Sequence, residues 1–248
     1  MAGFEIYPTT GTLCTGPLLS GSRRACRDPL ICDRSALRYT TKANSEAAPA
    51  TGIAGAIEFD QRKQRTKEFA PSRLFIYYNE RVIEGTVSQD AGAQIRDGIK
   101  SVAKVGAPPE SDWPYNIAKF AVRPAPKAYR DAKQDLVSAY SRVVQDITQM
   151  RGCLAEGYPF VFGFTVYQTF EGETVARTGI VPMPGTGEAV LGGHCVVAVG
   201  YDDSKRRFII RNSWGTGWGL HGYCLMPYEY LINPRLASDF WTIRSVSG

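Results

Sequence analysis

Residues 192–219, GGHCVVAVGYDDSKRRFIIRNSWGTGWG, carry two apolar runs on either side of a polar turn, DDSKR. Runs of this length, rich in Val and Ile and bounded by turn residues, predict two antiparallel strands joined as a hairpin. A turn centred on Asp203 sets His194 opposite Asn212, and opposed residues project from one face of a sheet. An Asn amide facing an imidazole fixes one tautomer. Its oxygen takes the proton of one ring nitrogen and leaves the other nitrogen to exchange a proton with a nucleophile. Trp214 is placed to cover that hydrogen bond, and Gly215, Gly217 and Gly219 permit tight turns around the two tryptophans. A lone histidine in such a hairpin reads more simply as a core residue. The ordered combination GH, VGYD, NSWG and WG favours the site.

Outward from this hairpin, residues 160–167 (FVFGFTVY) and 221–227 (HGYCLMP) have strand length, and Gly- and Asp-rich turns separate them from the hairpin. An antiparallel sheet or barrel is predicted for the last third of the chain. Upstream the period changes to that of a helix: Ile53, Ala56, Ile57 and Asp60 mark one, residues 74–83 a second, and Ile95, Ile99 and Val102 a third that stops at Gly106. Residues 128–157 are expected to hold at least one more helix. The predicted class is α+β, a mainly helical lobe over 53–120 followed by a mainly β lobe over 121–248, with a cleft between them. Residues 1–52 show neither period and are expected to be poorly ordered.

With 248 residues and 44% hydrophobic content, the chain can bury a sizeable core. The basic run at residues 62–67 (RKQRTK) lacks the interleaved aromatics that stack on bases, so it reads as a solvated helix face and no nucleic-acid partner is expected. No apolar stretch approaches the ~20 residues of a membrane span. The first residues lack a charged region followed by an apolar one, so the chain as written predicts no secretory signal and leaves the compartment open. The six cysteines have neither CxxC pairing nor zinc-type spacing to histidine, and no metal or cofactor is expected.

The segments GHCVVAVGYDD and IIRNSWGTGWGLHGY resemble the histidine strand and the asparagine segment of the papain-like cysteine peptidases. ESDWPY, LAEGYPFVFGFTVYQTF and PYEYL are similar to the bacterial, xylellain-like branch of that family. The resemblance covers residues 53–235 and implies a papain-like two-lobe fold, a peptide or protein substrate and a monomer. It also implies roles: His194 as general base and acid, Asn212 as its orienter, Trp214 as the shield. His221 reads as a surface turn residue, and Gly92 and Ala93 as one wall of the cleft.

The family's nucleophile is a cysteine that opens a buried helix, where the N-terminal dipole lowers its pKa and backbone N–H groups face the oxyanion. It sits in a segment like QGxxGSC, whose Gln is the second oxyanion donor. IAGAIEFD resembles that helix, yet EAAPATG precedes it, with Ala48 about where the cysteine belongs, and no Gln occurs before Gln61. Cys195 neighbours His194 on a strand and so points to the opposite face, and no other cysteine is well placed. The genetic code offers a reason. Reverse-translated and read from the third base of each codon, residues 36–51 (ALRYTTKANSEAAPAT) permit PPVYDQGKFGSCTGN, the family's motif intact. Residues 28–36 likewise permit DLRPQC. Residues 1–52 therefore read as an out-of-frame translation, with the frame restored near Gly52. The expected activity is that of a thiol peptidase by family, absent in the chain as written; a pseudopeptidase that binds peptides without cutting them is the alternative.

Overall fold

The computed structural model describes residues 47–247. The expectations for residues 1–46, including Cys14, Cys26 and Cys32, lie outside the described residues. Three long helices come first: α1 (Ala48–Gln64), α2 (Arg73–Glu84) and α3 (Ile95–Val105). A short α4 (Pro126–Ala132), β1 (Val137–Arg142) and α5 (Ile147–Ala155) follow. The region expected to hold a further helix thus also holds a strand. Then come β2 (Phe160–Tyr167), the short α6 (Gln168–Glu171) and α7 (Glu173–Thr178), β3 (Val190–Asp202), β4 (Arg207–Arg211), β5 (Tyr223–Pro227), α8 (Tyr228–Ile232) and β6 (Ala237–Val246).

All six strands form one antiparallel sheet in the order β1-β6-β2-β3-β4-β5. The sheet is open and does not close into a barrel. Period-two alternation sorts its side chains between two cores. Phe160, Phe162, Phe164, Val196 and Ala198 face one cluster, shared with Phe208, Phe240 and Tyr230. Val161, Cys195, Val197 and Val199 face the other, where α1, α2 and α3 pack. The helices therefore lie directly on one face of the sheet. Contact is closest at Gly52, where an added Cβ would lie 3.0 Å from Val161 Cγ1 and 3.2 Å from Cys195 Sγ.

Helix α1 starts at Ala48, five residues ahead of the expected Ile53. Residues 47–52, assigned to the patternless segment, form its entry and first turn. Pro49 fits there because its fixed φ and missing N–H suit a helix's first turn. Ala48, Ala50 and Gly52 are small enough for the tight interface. Ser72 caps α2 by accepting from the Phe75 amide at 3.2 Å, and Gly85, in the left-handed region, ends it. In the basic run, Lys63 is docked rather than solvated: its Nζ donates to the Gly157 carbonyl at 2.7 Å and lies 3.4 Å from the Tyr158 ring centroid.

Three carboxyls are buried in the helical layer, and Asp60 Oδ1 and Oδ2, Glu80 Oε1 and Oε2 and Glu58 Oε2 have no hydrogen-bond partner. Burial pushes Asp60 up to about 8 against the pull of Lys63 and Arg244, and Glu58 up to about 7 against Arg211, Arg62 and Arg73. Glu80 is held well above the ordinary range, by burial first and then by the Glu84 charge. The folded chain then holds protons that the unfolded chain releases near pH 4, so stability falls as pH rises from about 4 to about 8. Thermal unfolding should show a lower Tm at pH 8 than at pH 5. Asp60→Asn should raise the pH 8 value far more than the pH 5 value, where most of the penalty has yet to appear. Equal slopes in the two proteins would contradict this origin.

Candidate active site

Strand β3 presents His194, and Asn212 follows the last residue of β4. His194 Nε2 lies 2.8 Å from Asn212 Oδ1, and both residues are buried. The Ser213 amide N–H donates to the same Oδ1 at 2.8 Å, which identifies that atom as the oxygen. His194 Nε2 must then be the donor, and Nδ1 carries the free lone pair. That Nδ1 is buried without a hydrogen-bond partner. Burial pulls the imidazole below its ordinary pKa, offset in part by the Asn212 hydrogen bond and the Glu171 charge, so it is neutral at pH 7 and able to take a proton.

The contact arises by a different register from the one expected. Val197 pairs with Arg211 and Asp202 with Arg207, with an irregularity between Ala198 and Gly200, so the turn is centred beyond Asp203. Arg206 adopts a left-handed φ of 52° and its amide donates to the Asp203 carbonyl at 3.2 Å, giving a four-residue turn in place of a tighter one. Asn212 reaches the ring from outside the ladder, where its own amide donates to the Gly222 carbonyl at 2.9 Å. Trp214 stacks on the imidazole, ring centroids 5.2 Å apart at 26°, and rests edge-on against Trp218 and Phe170. Gly215 and Gly219 take positive φ, as the turns around these tryptophans require, whereas Gly217 does not.

Sequence reading missed Phe164. It is the cross-strand partner of His194 and its ring packs edge-on to the imidazole at 5.8 Å. Its alternation with Phe160 and Phe162 is visible in the sequence. The β2–β3 register is not, because more than twenty residues and two short helices separate the strands.

His194 lines a cleft of about 980 Å³ that runs between α1, the chain ahead of α3, and strands β2, β3 and β6. Ala48 and Pro49 line it from the start of α1, and Gly92 and Ala93 form part of one wall. Among the described residues helix α1 has no side-chain cap and no acidic residue in its first turn, and its positive end opens on the cleft. Ala47, one residue earlier, is buried and does not line it.

Among the described residues no thiol hydrogen-bonds the His194 Nδ1. Cys195 packs in the helical-side core as expected, although it also lines the cleft, and burial holds its thiol well above the ordinary value. Cys153 and Cys224 are fully buried, and burial likewise raises the Cys224 thiol. His221 is an exposed turn residue with φ 57°. Among the described residues no helix is long and apolar enough to cross a membrane.

A helix start and an oriented imidazole facing each other across a cleft, on an α+β scaffold with this open sheet, define a papain-like protein. The model of the papain family cysteine protease matches residues 86–234. The chain belongs to that family. Xylellain, a cysteine protease from Xylella fastidiosa, superposes with a TM-score of 0.79 at 40% identity over 90% of both chains. An uncharacterized peptidase C1-like protein of Acanthamoeba polyphaga mimivirus is 45% identical over 207 residues, which is 80% of this chain and 67% of the viral one. The clostridial cysteine protease Cwp84, at 16% identity and a TM-score of 0.70, shares the fold over 89% of this chain and 57% of its own.

Proposed function

We propose that the cleft is the peptide-binding site of a cysteine-type endopeptidase whose nucleophile is absent from the chain as written. In the in-frame product, a thiolate at the start of α1 attacks a peptide carbonyl, an acyl-enzyme forms and water hydrolyses it. His194 Nδ1 takes the thiol proton and returns it to the leaving amine, Asn212 holds the ring, and Trp214 shields the pair from water. Ala48 stands at the nucleophile's position. The observation that carries this reading is the pairing, across one cleft, of an unpartnered His194 Nδ1 with an alanine at an uncapped helix start.

With no thiol at residue 48 and no Gln ahead of Gln61, the chain as written cannot form the thioester. It retains the cleft, and a pseudopeptidase that binds peptides without cutting them is the alternative reading. An acyltransferase on this scaffold would need the same thiol. The belonging of residues 1–52 to another reading frame, and the division into helical and β lobes near residue 120, are parts of the same proposal. The test is steady-state hydrolysis of fluorogenic peptides with and without a thiol-directed epoxide. The expected result is background turnover that the epoxide leaves unchanged, and turnover abolished by the epoxide would overturn the assignment of inactivity.

A further inference from the structure

Three arginines from separate elements line the same cleft as His194: Arg96 in the first turn of α3, Arg142 at the end of β1, and Arg235 in the turn ahead of β6. All three are exposed. None of their guanidiniums makes an ion pair or a hydrogen bond among the described residues. Some arginines elsewhere pair with acids, as Arg73 does with Glu110 at 3.1 Å and Arg244 with Glu156 at 2.8 Å.

Among the described residues one acid lines the cleft, Asp239, and it is committed to the wall. Its Oδ2 accepts from the Arg96 amide at 3.1 Å and its Oδ1 from Trp241 Nε1 at 2.7 Å, and its own φ is 58°. It fixes the start of α3 against β6. Arg142 is held nearby, since it pairs with Trp241 across β1 and β6. With His194 neutral, the cleft lining carries an excess of two positive charges. Gly163 and Cys195 also line the cleft.

We infer that this cleft selects peptides carrying acidic side chains, which the three guanidiniums bind on the β6 side. The inference rests on the reading of the cleft as a peptide site and specifies its substrate class. The cations come from three elements of one cleft lining, and among the described residues no acid pairs with their guanidiniums. A carboxylate presents the bidentate geometry that a guanidinium fork matches.

Fluorescence anisotropy with labelled octapeptides tests it on the chain as written. The peptides are alanine-based and differ only in a central Glu-Glu, Gln-Gln or Lys-Lys pair. Exposed ion pairs are individually weak, so two of them should make the Glu peptide bind roughly tenfold more tightly than the Gln peptide, and the Lys peptide should bind more weakly than either. Raising salt from 0.05 to about 0.5 M should shrink the ratio. The double substitution Arg142→Glu, Arg235→Glu should abolish or invert it while leaving Tm unchanged, because both side chains are exposed. Equal affinity for all three peptides would overturn the acidic preference and leave the peptide cleft standing. Failure of every peptide to bind would overturn both, and a single-stranded oligonucleotide that displaces the Glu peptide would reassign the cations to another ligand.

Discussion

Ala48→Cys is expected to raise thiol-dependent peptide hydrolysis by roughly 10³-fold over the chain as written, for which background activity is proposed. The size follows from two opposing magnitudes. Removing the nucleophile of a peptidase triad costs on the order of 10⁶ in kcat, while lacking one oxyanion donor costs about 10²–10³. The substitution restores the first and leaves the second unmet, since no Gln precedes Gln61. The introduced thiol sits at an uncapped helix start, across the cleft from an imidazole whose free nitrogen is Nδ1. Both features favour the thiolate. Ala47→Cys is the internal control. That residue is buried off the cleft, so no gain is expected from it. Hydrolysis and alkylation by a thiol-directed epoxide, located by peptide mass mapping, check both variants. Equal activity of the two would remove residue 48 from the nucleophile's place.

Gly106→Ala should cause a large loss of stability from a single added methyl group. Gly106 ends α3 with φ 79° and ψ −168°, a region open essentially to glycine alone. A Cβ there would also lie 1.8 Å from the Ala132 carbonyl oxygen and 2.6 Å from its carbon. Both are backbone atoms, so no side chain can swing away. Strain and clash together should cost about 3–5 kcal/mol, or roughly 10 °C in Tm for a domain of this size. Urea unfolding monitored by tryptophan fluorescence measures it. A change under 1 kcal/mol would show that the α3–α4 junction is not the rigid contact described.

Gly106 also shows what the sequence discloses well. A glycine after three apolar residues at helical spacing predicts a helix stop, and the helix stops there. The strands of the last third are equally legible, because alternation of Phe160, Val161 and Phe162, or of Cys195, Val196 and Val197, is local information. The His194–Asn212 pair was foreseen through a turn centred on Asp203. The turn is longer and the strand is bulged, and the contact forms because Asn212 leaves the ladder and reaches back. Short-range pattern fixed the residue types and the meeting, but turn geometry set the path. Phe164 behind the imidazole, Asp239 bridging α3 to β6, and the meeting of Arg96, Arg142 and Arg235 depend on pairings between distant segments. No periodicity reveals those. The start of α1 was misplaced because Ala48, Ala50 and Gly52 carry no apolar period, and only packing against Val161 and Cys195 shows why small residues are needed there.

The most direct test of the central claim, that Ala48 stands where an out-of-frame reading has erased a cysteine, is the nucleotide sequence of codons 36 to 51. The account predicts T at the third base of codon 47, which with the first two bases of the Ala48 codon spells cysteine. It also predicts C at the third base of codon 41, which with the start of the Lys42 codon spells the missing glutamine. Any other base at the third position of codon 47 spells serine, glycine or arginine in the shifted frame. That result would contradict the account and make residues 1–52 a segment in their own right.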